Sequence, residues 1–337
     1  MKILIAGALS NFCLETSYKK GFEANGHEVK TFDIKKAIGR NVKFGKFGSV
    51  LNNFLPVDPW IHKANRELVI FAKEYKPDVL VCAANNEVHS GSIAFLKSIM
   101  PVKVVLIWPD TLFNLGKYVL LSAPFFDLVA AHSTAAVSIF QQYGFKRAAW
   151  LPFAGDLDAH YGEPAVDSNS FKYDLTFVGG NRPERERVIA YVIDKFPQLR
   201  VKVWGPYWNR TSNPAIKKIA DPSPLYGKDF TKVVQSSLIS LNIIDDTNYP
   251  GCNMRFFEIP AAGGLQLCSA CPEMEDVYKN NEQLFYFHSE EELANQINYC
   301  ISHKEEAMKV ARRFHENILN KDNYKIRSEQ LLELLNQ

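Results

Sequence analysis

Hydrophobic and polar positions alternate between two kinds of segment along the first half of the chain. Short, nearly continuous runs of Ile, Leu, Val and Ala occupy residues 2–6, 79–84, 103–108 and 128–131, and stretches with helical spacing separate them. Continuous apolar runs of this length are typical of strands that are buried on both faces. Strands that alternate with helices predict a parallel sheet with helices on both sides.

The alternation is interrupted once and then begins again. Residues 152–171 are rich in Pro, Gly, Ser, Asn and Asp and show little periodicity, so we interpret them as an inter-domain linker. A new apolar run follows at 173–178, with further predicted strands at 200–205 and 238–244. The second half therefore predicts another domain of the same class.

Both predicted domains open with a strand that runs into glycine. We predict an N-terminal domain over 1–152, a C-terminal domain over 172–322, and a helix over 323–337 that returns toward the first domain. The fold class is α/β, with two Rossmann-like, doubly wound domains facing across a cleft. Ligands of open α/β sheets bind beyond the carboxyl ends of the strands, so the loops there are the expected site.

Charge and composition narrow the functional classes. The 39 basic residues nearly cancel the 37 acidic ones, and a net charge of +2 does not indicate nucleic-acid binding. No run approaches the roughly 20 apolar residues of a membrane span, and we find no export signal. We therefore expect a cytoplasmic protein with reduced thiols. Cys268 and Cys271 form the one close pair, which we interpret as two small residues in a packed turn rather than a metal or redox site.

The loop after the first strand, residues 7–11, contains only one glycine. A dinucleotide site needs the spacing G-x-G-x-x-G at this point, so NAD is disfavoured and no cofactor is expected. Gly7 is either a ligand contact or simply the glycine of a tight strand-to-helix turn. The sequence leaves both open.

The first strand of the second domain delivers two glycines and then two arginines at a helix start. Gly179 and Gly180 precede Arg182, and Pro183 opens a helix that contains Arg185. Backbone amides and arginines at a helix N-terminus bind anions, so we predict a diphosphate site here. The alternative is a solvated basic helix start.

Residues 253–264 carry the strongest candidate chemistry. Glu258 stands near the start of a short predicted helix, where a carboxylate can accept both hydroxyls of a ribose. The preceding Asn253 and Met254 offer backbone amides, and Arg255 offers a positive charge to a phosphate. The alternative is a Glu258–Arg255 pair that serves packing alone.

Residues 253–264 resemble the donor-binding segment of the CgeB-type (spore-maturation) glycosyltransferases, which belong to the GT-B superfamily. The resemblance extends over about 148–290. Other segments agree in order: Trp150-Leu151-Pro152-Phe153-Ala154-Gly155-Asp156, Tyr173-Asp174-Leu175-Thr176-Phe177-Val178-Gly179 followed by Arg185-Glu186, Val203-Trp204-Gly205 with Trp208, and Ser240-Leu241-Asn242-Ile243.

The resemblance implies a hexosyltransferase-like enzyme that moves a sugar from a nucleotide-diphosphate sugar to a glycan, lipid-linked or protein acceptor. Because amides at helix ends can replace a cation, we expect no metal dependence. The resemblance also implies that Glu258 holds the donor ribose and that Arg182 or Arg185 binds the diphosphate. Two loops would flank the base, one at Trp204 and Gly205 and the other at Tyr226 and Gly227.

The chain departs from the resemblance at one position. Retaining relatives carry a second Glu eight residues before the first, where this chain has Pro250. Asp245 or Asp246 stands in the same loop, at a different spacing. The stereochemical outcome is therefore open.

Polar residues after strands of the first domain are candidates for catalysis. Asp110 and His132 each follow a predicted strand, and we predict them as the catalytic residues. Asn85, Asn86, Glu87 and His89 are further polar loop residues of the same domain. The alternative for His132 is a structural role.

The stretch Lys30–Lys46 combines six basic residues with Phe32 and Phe44, and with Phe47 directly after it, against only one acid. This composition suits peripheral contact with the inner face of an anionic membrane or with an anionic acceptor, and a solvated loop is the alternative. Two other functions also remain open: a nucleotide-sugar epimerase, and a binding protein or scaffold without turnover.

Overall fold

The computed structural model describes residues 1–54, 57–83, 87–167 and 170–337. The chain divides into two compact units. Unit 1 contains Met1–Pro152 and Tyr324–Gln337, and unit 2 contains Phe153–Asn323. Each unit is built on its own six-stranded parallel sheet.

The sheet of unit 1 has the strand order β2-β1-β3-β4-β5-β6. Its strands are β1 (Lys2–Gly7), β2 (Glu28–Asp33), β3 (Val79–Ala83), β4 (Lys103–Trp108), β5 (Leu128–Ala131) and β6 (Ala148–Trp150). The order reverses between β1 and β3, because β2 extends the sheet on one side and β3 on the other. β1, β3, β4 and β5 are almost entirely buried, which explains their unbroken apolar runs.

Helices cover both faces of this sheet. They are α1 (Leu14–Ala24), α2 (Ile34–Asn41), α3 (Gly45–Phe54), α4 (Asp58–Tyr75), α5 (Ser90–Ile99), α6 (Lys117–Ser122) and α7 (Thr134–Gln142). α4 shows why the sequence folds this way: Ile61, Ala64, Leu68 and Ala72 recur at helical spacing and are fully buried. Lys76, directly after the helix, has a left-handed backbone conformation, and the next residue, Pro77, prevents the helix from continuing.

The sheet of unit 2 has the strand order β12-β11-β10-β7-β8-β9. Its strands are β7 (Tyr173–Val178), β8 (Val201–Trp204), β9 (Ala220–Asp221), β10 (Ser237–Asn242), β11 (Gln266–Ser269) and β12 (Phe285–Phe287). Here the order reverses between β7 and β10, which pair directly with Leu241 opposite Phe177. The loops after these two strands therefore diverge from neighbouring points.

The helices of unit 2 enclose its sheet in the same way. They are α8 (Leu157–His160), α9 (Pro183–Lys195), α10 (Pro214–Ile219), α11 (Gly227–Gln235), α12 (Arg255–Ala261), α13 (Pro272–Glu275), α14 (Glu290–Ser302) and α15 (Lys304–Asn320). A large apolar core joins the strands to α9, α14 and α15. A smaller one, around Trp204 and Phe230, lies beneath the loops described below. The predicted fold class, two doubly wound α/β domains, is confirmed.

The last helix, α16 (Tyr324–Asn336), belongs to unit 1 and packs on α1. The rings of Tyr18 and Tyr324 meet edge to face with centroids 5.2 Å apart, and Asn25 donates to the Lys325 carbonyl at 2.8 Å. A Cβ at Gly21 would lie 2.2 Å from the Tyr324 carbonyl oxygen. Only glycine allows the two helices to approach this closely.

Two stretches differ from the sequence-based expectations. Residues 153–167 and 170–171, which lie in the stretch interpreted as a linker, belong to unit 2 and contain α8, whose start is capped by Asp156. The loop expected as the alternative over Lys30–Lys46 is instead the end of β2, all of α2 and the start of α3. Asp33 caps α2, which buries Ile34, Ala37 and Ile38 on one face, a short period that the many lysines obscure.

Exposed aromatic side chains follow α2. Phe44 and Phe47 are 79% and 74% exposed. Among the described residues, no helix is long and apolar enough to cross a bilayer. Within the same part of the chain, no group of His, Cys, Asp and Glu has the arrangement of a metal site. Cys268 and Cys271 are free, buried thiols.

Candidate functional site

The reversal of strand order in unit 2 marks the candidate site. Ligands of open α/β sheets bind in the crevice outside the carboxyl ends of the strands at such a reversal. In unit 2 the loop after β7 begins at Gly179, and the loop after β10 runs from Ile243 to the start of α12. Most of the residues proposed from sequence for the donor lie on or beside these two loops.

The glycine loop after β7 is fixed by the neighbouring loop after β8. The Gly179 N–H donates to the Trp204 carbonyl at 2.8 Å, and the Asn181 N–H donates to the Pro206 carbonyl at 2.9 Å. The indole of Trp208 donates to the Gly179 carbonyl at 2.7 Å. These two amides are therefore occupied within the protein. These amides are not available to the anion that the sequence analysis predicts here, so side chains would have to bind it.

Gly205 allows this close contact between the two loops. Its φ of +140° lies in the region that side chains disfavour, and a Cβ there would lie 2.2 Å from the Gly179 carbonyl oxygen. Gly180 is less crowded, because a Cβ at that position would meet Pro206 no closer than 3.4 Å. Gly205 is thus the glycine on which the loop geometry depends.

Arg182 and Arg185 both contact one buried carboxylate. Asp245 accepts from Arg185 at 2.8 Å, and its Oδ2 lies 3.2 Å from Nε of Arg182. The side chain of Asp245 is 4% exposed, whereas that of Arg182 is 46% exposed. Arg185 also donates to the Gly180 carbonyl at 3.0 Å. The two predicted diphosphate ligands are therefore brought together, with Asp245 as their internal counter-ion.

The pKa shifts in this group reflect crowded charges. Burial lowers the pKa of Arg185; Asp245 opposes that effect, while the nearby Arg182 and Arg255 add to it. Burial alone would raise the pKa of Asp245, but hydrogen bonds from Thr247 and Asn248 and the two arginines hold it below its usual value. Three arginines close enough to influence one another favour an anionic ligand.

The lowered pKa of Asp245 predicts an acid-sensitive fold. As the pH falls below about 4, the unfolded chain takes up this proton before the folded one does, so Asp245 contributes stability above that range and loses it below. The Asp245→Asn variant should therefore lose less stability than the parent between about pH 5 and pH 3. Thermal melts across that range measure the difference. Asp246→Asn, at the exposed neighbouring position, should follow the parent.

Glu258 is held in a charged and aromatic environment. On the first turn of α12, Arg255 donates to its carboxylate. The Glu258 side chain is only 8% exposed, and Nδ1 of the buried His160 lies 3.9 Å from its Oε1. The guanidinium of Arg255 stands 4.2 Å from the ring centroid of Phe230. The carboxylate is therefore fixed in position.

Arg255 connects three segments of unit 2. It donates to the Val178 carbonyl at the end of β7 and to the Leu225 carbonyl before α11, each at 3.4 Å. Leu225 is followed by Tyr226, which is 55% exposed, and by Gly227 with a φ of +52°. The loop expected to flank the base is thus tied by Arg255 to Glu258, the residue expected to bind the ribose.

An amide network sets the start of α12. Asn253 and Asn242 exchange hydrogen bonds at 2.9 and 3.2 Å, and Asn242 also donates to Gln266 at 3.0 Å. The Asn253 side chain, which precedes the N-cap residue Met254, accepts from the Phe256 N–H at 3.2 Å and so contacts the first turn of the helix. Met254 follows it with helical backbone angles. These bonds place Arg255 and Glu258 relative to the end of β10.

Trp204 lies mostly beneath the site. Its ring meets Tyr173 edge to face at 5.5 Å and is 8% exposed. Its carbonyl, rather than its ring, contacts the glycine loop. If these loops flank a base, Trp204 would contribute backbone to the contact, and the side chain would come from Tyr226.

The candidates of unit 1 lie after adjacent strands. Asp110 follows β4, is exposed, and accepts from the Thr111 N–H and the Asn114 side chain, each at 2.7 Å. His132 follows β5, is 4% exposed, and its Nδ1 lies 3.3 Å from the Trp108 carbonyl oxygen. Gly7 ends β1, where a Cβ would lie 2.7 Å from the Glu15 side chain. Their catalytic and ligand-binding roles stay predictions.

Some sequence candidates lie elsewhere, and some site residues were missed. Asn85 and Asn86 lie outside the described residues. His160 was missed because its segment was interpreted as a linker, although Asp156, which caps α8, is a signal for a helix start. Asp245 was considered only as a contact to the sugar, whereas the structure pairs it with both arginines.

Comparison with known proteins bears on the fold of the chain and on the family pattern of residues 184–333. The family model described as Glycosyl transferase-like matches residues 184–333, which include Glu258 and the loop after β10. No curated protein matches the sequence of the chain. Several solved structures match over nearly the full length.

HepE of Anabaena, solved with UDP, covers 100% of both chains at 16% identity and a TM-score of 0.66; the same protein was also solved with UDP-glucose. Sucrose-phosphate synthase of Thermosynechococcus elongatus covers 100% of this chain and 98% of its own at 11% identity and a TM-score of 0.64. A glycosyltransferase of Rickettsia africae covers 99% and 97% at 14% identity and a TM-score of 0.66. The chain thus has the GT-B fold, and its residues 184–333 carry the sequence pattern of the glycosyl transferase-like family.

Proposed function

We propose that this protein transfers a sugar from a nucleoside diphosphate sugar, held by unit 2, to an acceptor hydroxyl. One observation carries the proposal: Arg182, Arg185 and Arg255 gather with Glu258 around the reversal of strand order in unit 2. Side chains of three arginines thus converge on one part of unit 2, which favours an anionic ligand there. The match of residues 184–333 to a glycosyltransferase family supports this reading.

The diphosphate would replace Asp245 as the partner of two arginines. Arg182 is exposed enough to turn toward a ligand, whereas Arg185 is mostly buried and is fixed by its ion pair with Asp245. Their charges would stabilise the nucleoside diphosphate as it leaves the sugar, which lowers the barrier for attack by the acceptor. Because side chains supply this charge, we propose that no metal ion is required.

The nucleoside would occupy the surroundings of Glu258. Its fixed carboxylate accepts the two ribose hydroxyls, and the loops at Trp204–Gly205 and Tyr226–Gly227 flank the base. The backbone amides of Asn253 and Met254 contact the phosphates. HepE was crystallised with UDP and UDP-glucose, so uridine is the base we expect first.

The finer assignments are proposals that rest on the sequence. These are CgeB-type specificity, transfer of a hexose, and an acceptor that is a glycan, a lipid-linked glycan or a protein. Asp110 and His132 are the proposed catalytic residues of unit 1, with Gly7 as a further donor contact. A cytoplasmic location in bacterial glycan biosynthesis, with peripheral membrane contact through Lys30–Lys46, completes the proposal. Pro250 leaves the retaining outcome as a hypothesis.

A nucleotide panel tests the donor site. Thermal unfolding is measured with UDP, GDP, dTDP, ADP and CMP, with NAD as the control ligand. One diphosphate at 100 times its Kd should add about 2.7 kcal/mol of stability, because it binds only the folded chain. The increase should persist in EDTA, since we propose metal-independent binding.

Turnover separates the remaining functions. With the sugar nucleotide of the selected base and a mixture of glycan acceptors, nucleotide release should depend on the acceptor. Isomerised sugar nucleotide without acceptor would identify an epimerase instead. The absence of stabilisation by every nucleotide would contradict the proposed donor site and leave a non-catalytic scaffold.

A further inference from the structure

Unit 1 contains a cavity of about 690 Å³ that the donor site does not use. Its walls come from one face of α4, the first turns of α5 and part of α6. α4 and α5 both begin at the edge of the sheet where the parallel strands end, which is the edge that binds ligands in this class of fold. The volume lies within the range of small-molecule sites.

A buried imidazole lies in this cavity without a hydrogen-bond partner at one nitrogen. His89 is 8% exposed, and within the described residues its Nε2 has no partner. Asn65 accepts from the His89 N–H at 2.8 Å and is itself held by the Ile61 and Glu87 carbonyls, so the position of the residue is fixed. Buried polar atoms are nearly always satisfied in folded proteins, so an open one in a cavity wall points to a ligand.

Other polar groups surround the same end of the cavity. The His62 ring stands edge to face with that of His89 at 4.6 Å, and the Tyr118 ring lies 4.4 Å from it. Tyr118 and Lys117 both donate to the Asp58 carboxylate. A Cβ at Gly91, in the first turn of α5, would meet no atom within 4 Å, so this turn is open. This end offers both donors and acceptors, as a polyhydroxylated ligand requires.

The opposite end of the cavity is apolar although it faces solvent. Ile70, Phe95 and Leu121 line it and are 58%, 46% and 62% exposed. Eight residues separate His62 from Ile70 on α4, which is about 12 Å of helix rise. The two kinds of wall are thus segregated along the helix. An exposed apolar patch beside a polar pocket indicates a ligand with one polar and one apolar end.

We propose that this cavity binds a glycoside with an apolar aglycone. The sugar ring lies against His62, His89 and Asp58, and the alkyl or aryl portion lies along Ile70, Phe95 and Leu121. Resting on the proposed function, this glycoside is the acceptor, and the cavity selects acceptors by their apolar portion. At the polar end the charge of Asp58 is balanced by Lys117, so we assign an uncharged head group to the ligand.

Calorimetric titration with methyl and hexyl β-D-glucoside, the latter below its micelle concentration, tests the proposal. The hexyl compound should bind about tenfold or more tightly, because its chain covers apolar wall. Leu121→Ser should remove most of that advantage and leave methyl glucoside unaffected. Leu120→Ser, one residue away and outside the cavity lining, should bind both compounds as the parent does. Equal affinities for the two glucosides, or equal effects of the two variants, would overturn the proposal.

His89→Phe tests the polar end. The change removes a buried nitrogen that has no partner, so the variant should melt at or above the parent temperature and still bind the nucleotide, while losing at least about tenfold in affinity for both glucosides. Unchanged glucoside affinity in a folded His89→Phe protein would contradict the placement of the sugar ring. Displacement of the glucosides by inorganic phosphate would contradict the assignment of an uncharged head group to the ligand.

The outcome is separable from that of the donor site. Glucoside binding without stabilisation by any nucleotide would retain the cavity ligand and contradict the proposed function. Nucleotide binding without glucoside binding would contradict the cavity ligand and retain the proposed donor site. If both bind but hexyl glucoside is not glycosylated, its role as acceptor is refuted.

Discussion

Glu258→Gln should weaken the binding of the nucleoside diphosphate at least tenfold, which corresponds to about 1.4 kcal/mol. A carboxylate accepts hydrogen bonds from both ribose hydroxyls, and charge-assisted bonds of this kind are stronger than those to a neutral amide. Arg255 and His160 hold Glu258 in place, so little ordering is needed when the ligand binds. Calorimetric titration of the parent and the variant with the selected nucleotide measures the loss.

The control for this experiment is a second carboxylate with the same local pairing. Glu306 pairs with Lys309 three residues after it, whereas Glu258 pairs with Arg255 three residues before it, and the side chain of Glu306 is 54% exposed. Glu306→Gln should leave both stability and nucleotide affinity unchanged. The glutamine at 258 keeps the shape of the side chain, so the protein should still fold, as a thermal melt will verify. An unchanged affinity in a folded Glu258→Gln variant would refute the assignment of the ribose.

Gly205→Ala should give the second large effect, a loss of about 2–4 kcal/mol in the free energy of unfolding. The new Cβ would lie 2.2 Å from the Gly179 carbonyl oxygen at a φ of +140°. Strained backbone and overpacking each cost about 1–3 kcal/mol. Because the loop after β8 holds the glycine loop after β7, nucleotide binding should fall together with stability. Denaturant unfolding and the nucleotide melt measure the two losses.

Gly39 provides the matched glycine. It lies within α2, where a Cβ would meet no atom within 4 Å. Gly39→Ala should therefore keep or raise stability, by up to about 1 kcal/mol, since alanine loses less backbone freedom in a helix. Similar stability of Gly205→Ala and Gly39→Ala would show that the contact between the two loops is not needed.

Some of these predictions rest on residues that the sequence identified, and others rest on contacts that only the fold shows. Glu258 was selected from the sequence, because a carboxylate beside Arg255 near small residues is a local pattern. Gly205 was selected for its place near the base, but its role in holding Gly179 is visible only in the fold. The same is true of Asp245, which the sequence left as an uncertain contact to the sugar.

The sequence by itself determined the fold class and the positions of most of the longer strands, whereas β6, β9, β11 and β12 were not predicted. Hydrophobic periodicity is a local property, and runs such as those of β1 and β4 bury regardless of which neighbour covers them. Helix starts were also local: Pro183 at the first turn of α9 is one such signal. The helix α2, over residues 34–41, was not predicted, because its basic residues concealed the short apolar period of Ile34, Ala37 and Ile38.

Only the tertiary structure determined which charged side chains pair with one another. Arg185 and Asp245 are 60 residues apart, and they pair because the reversal of strand order sets β7 beside β10. His160 reaches Glu258 through α8, in a segment that no periodicity marked as packed. Side-chain partners across a sheet depend on strand order, and strand order is set by the packing of the whole unit. For that reason no local pattern encodes them.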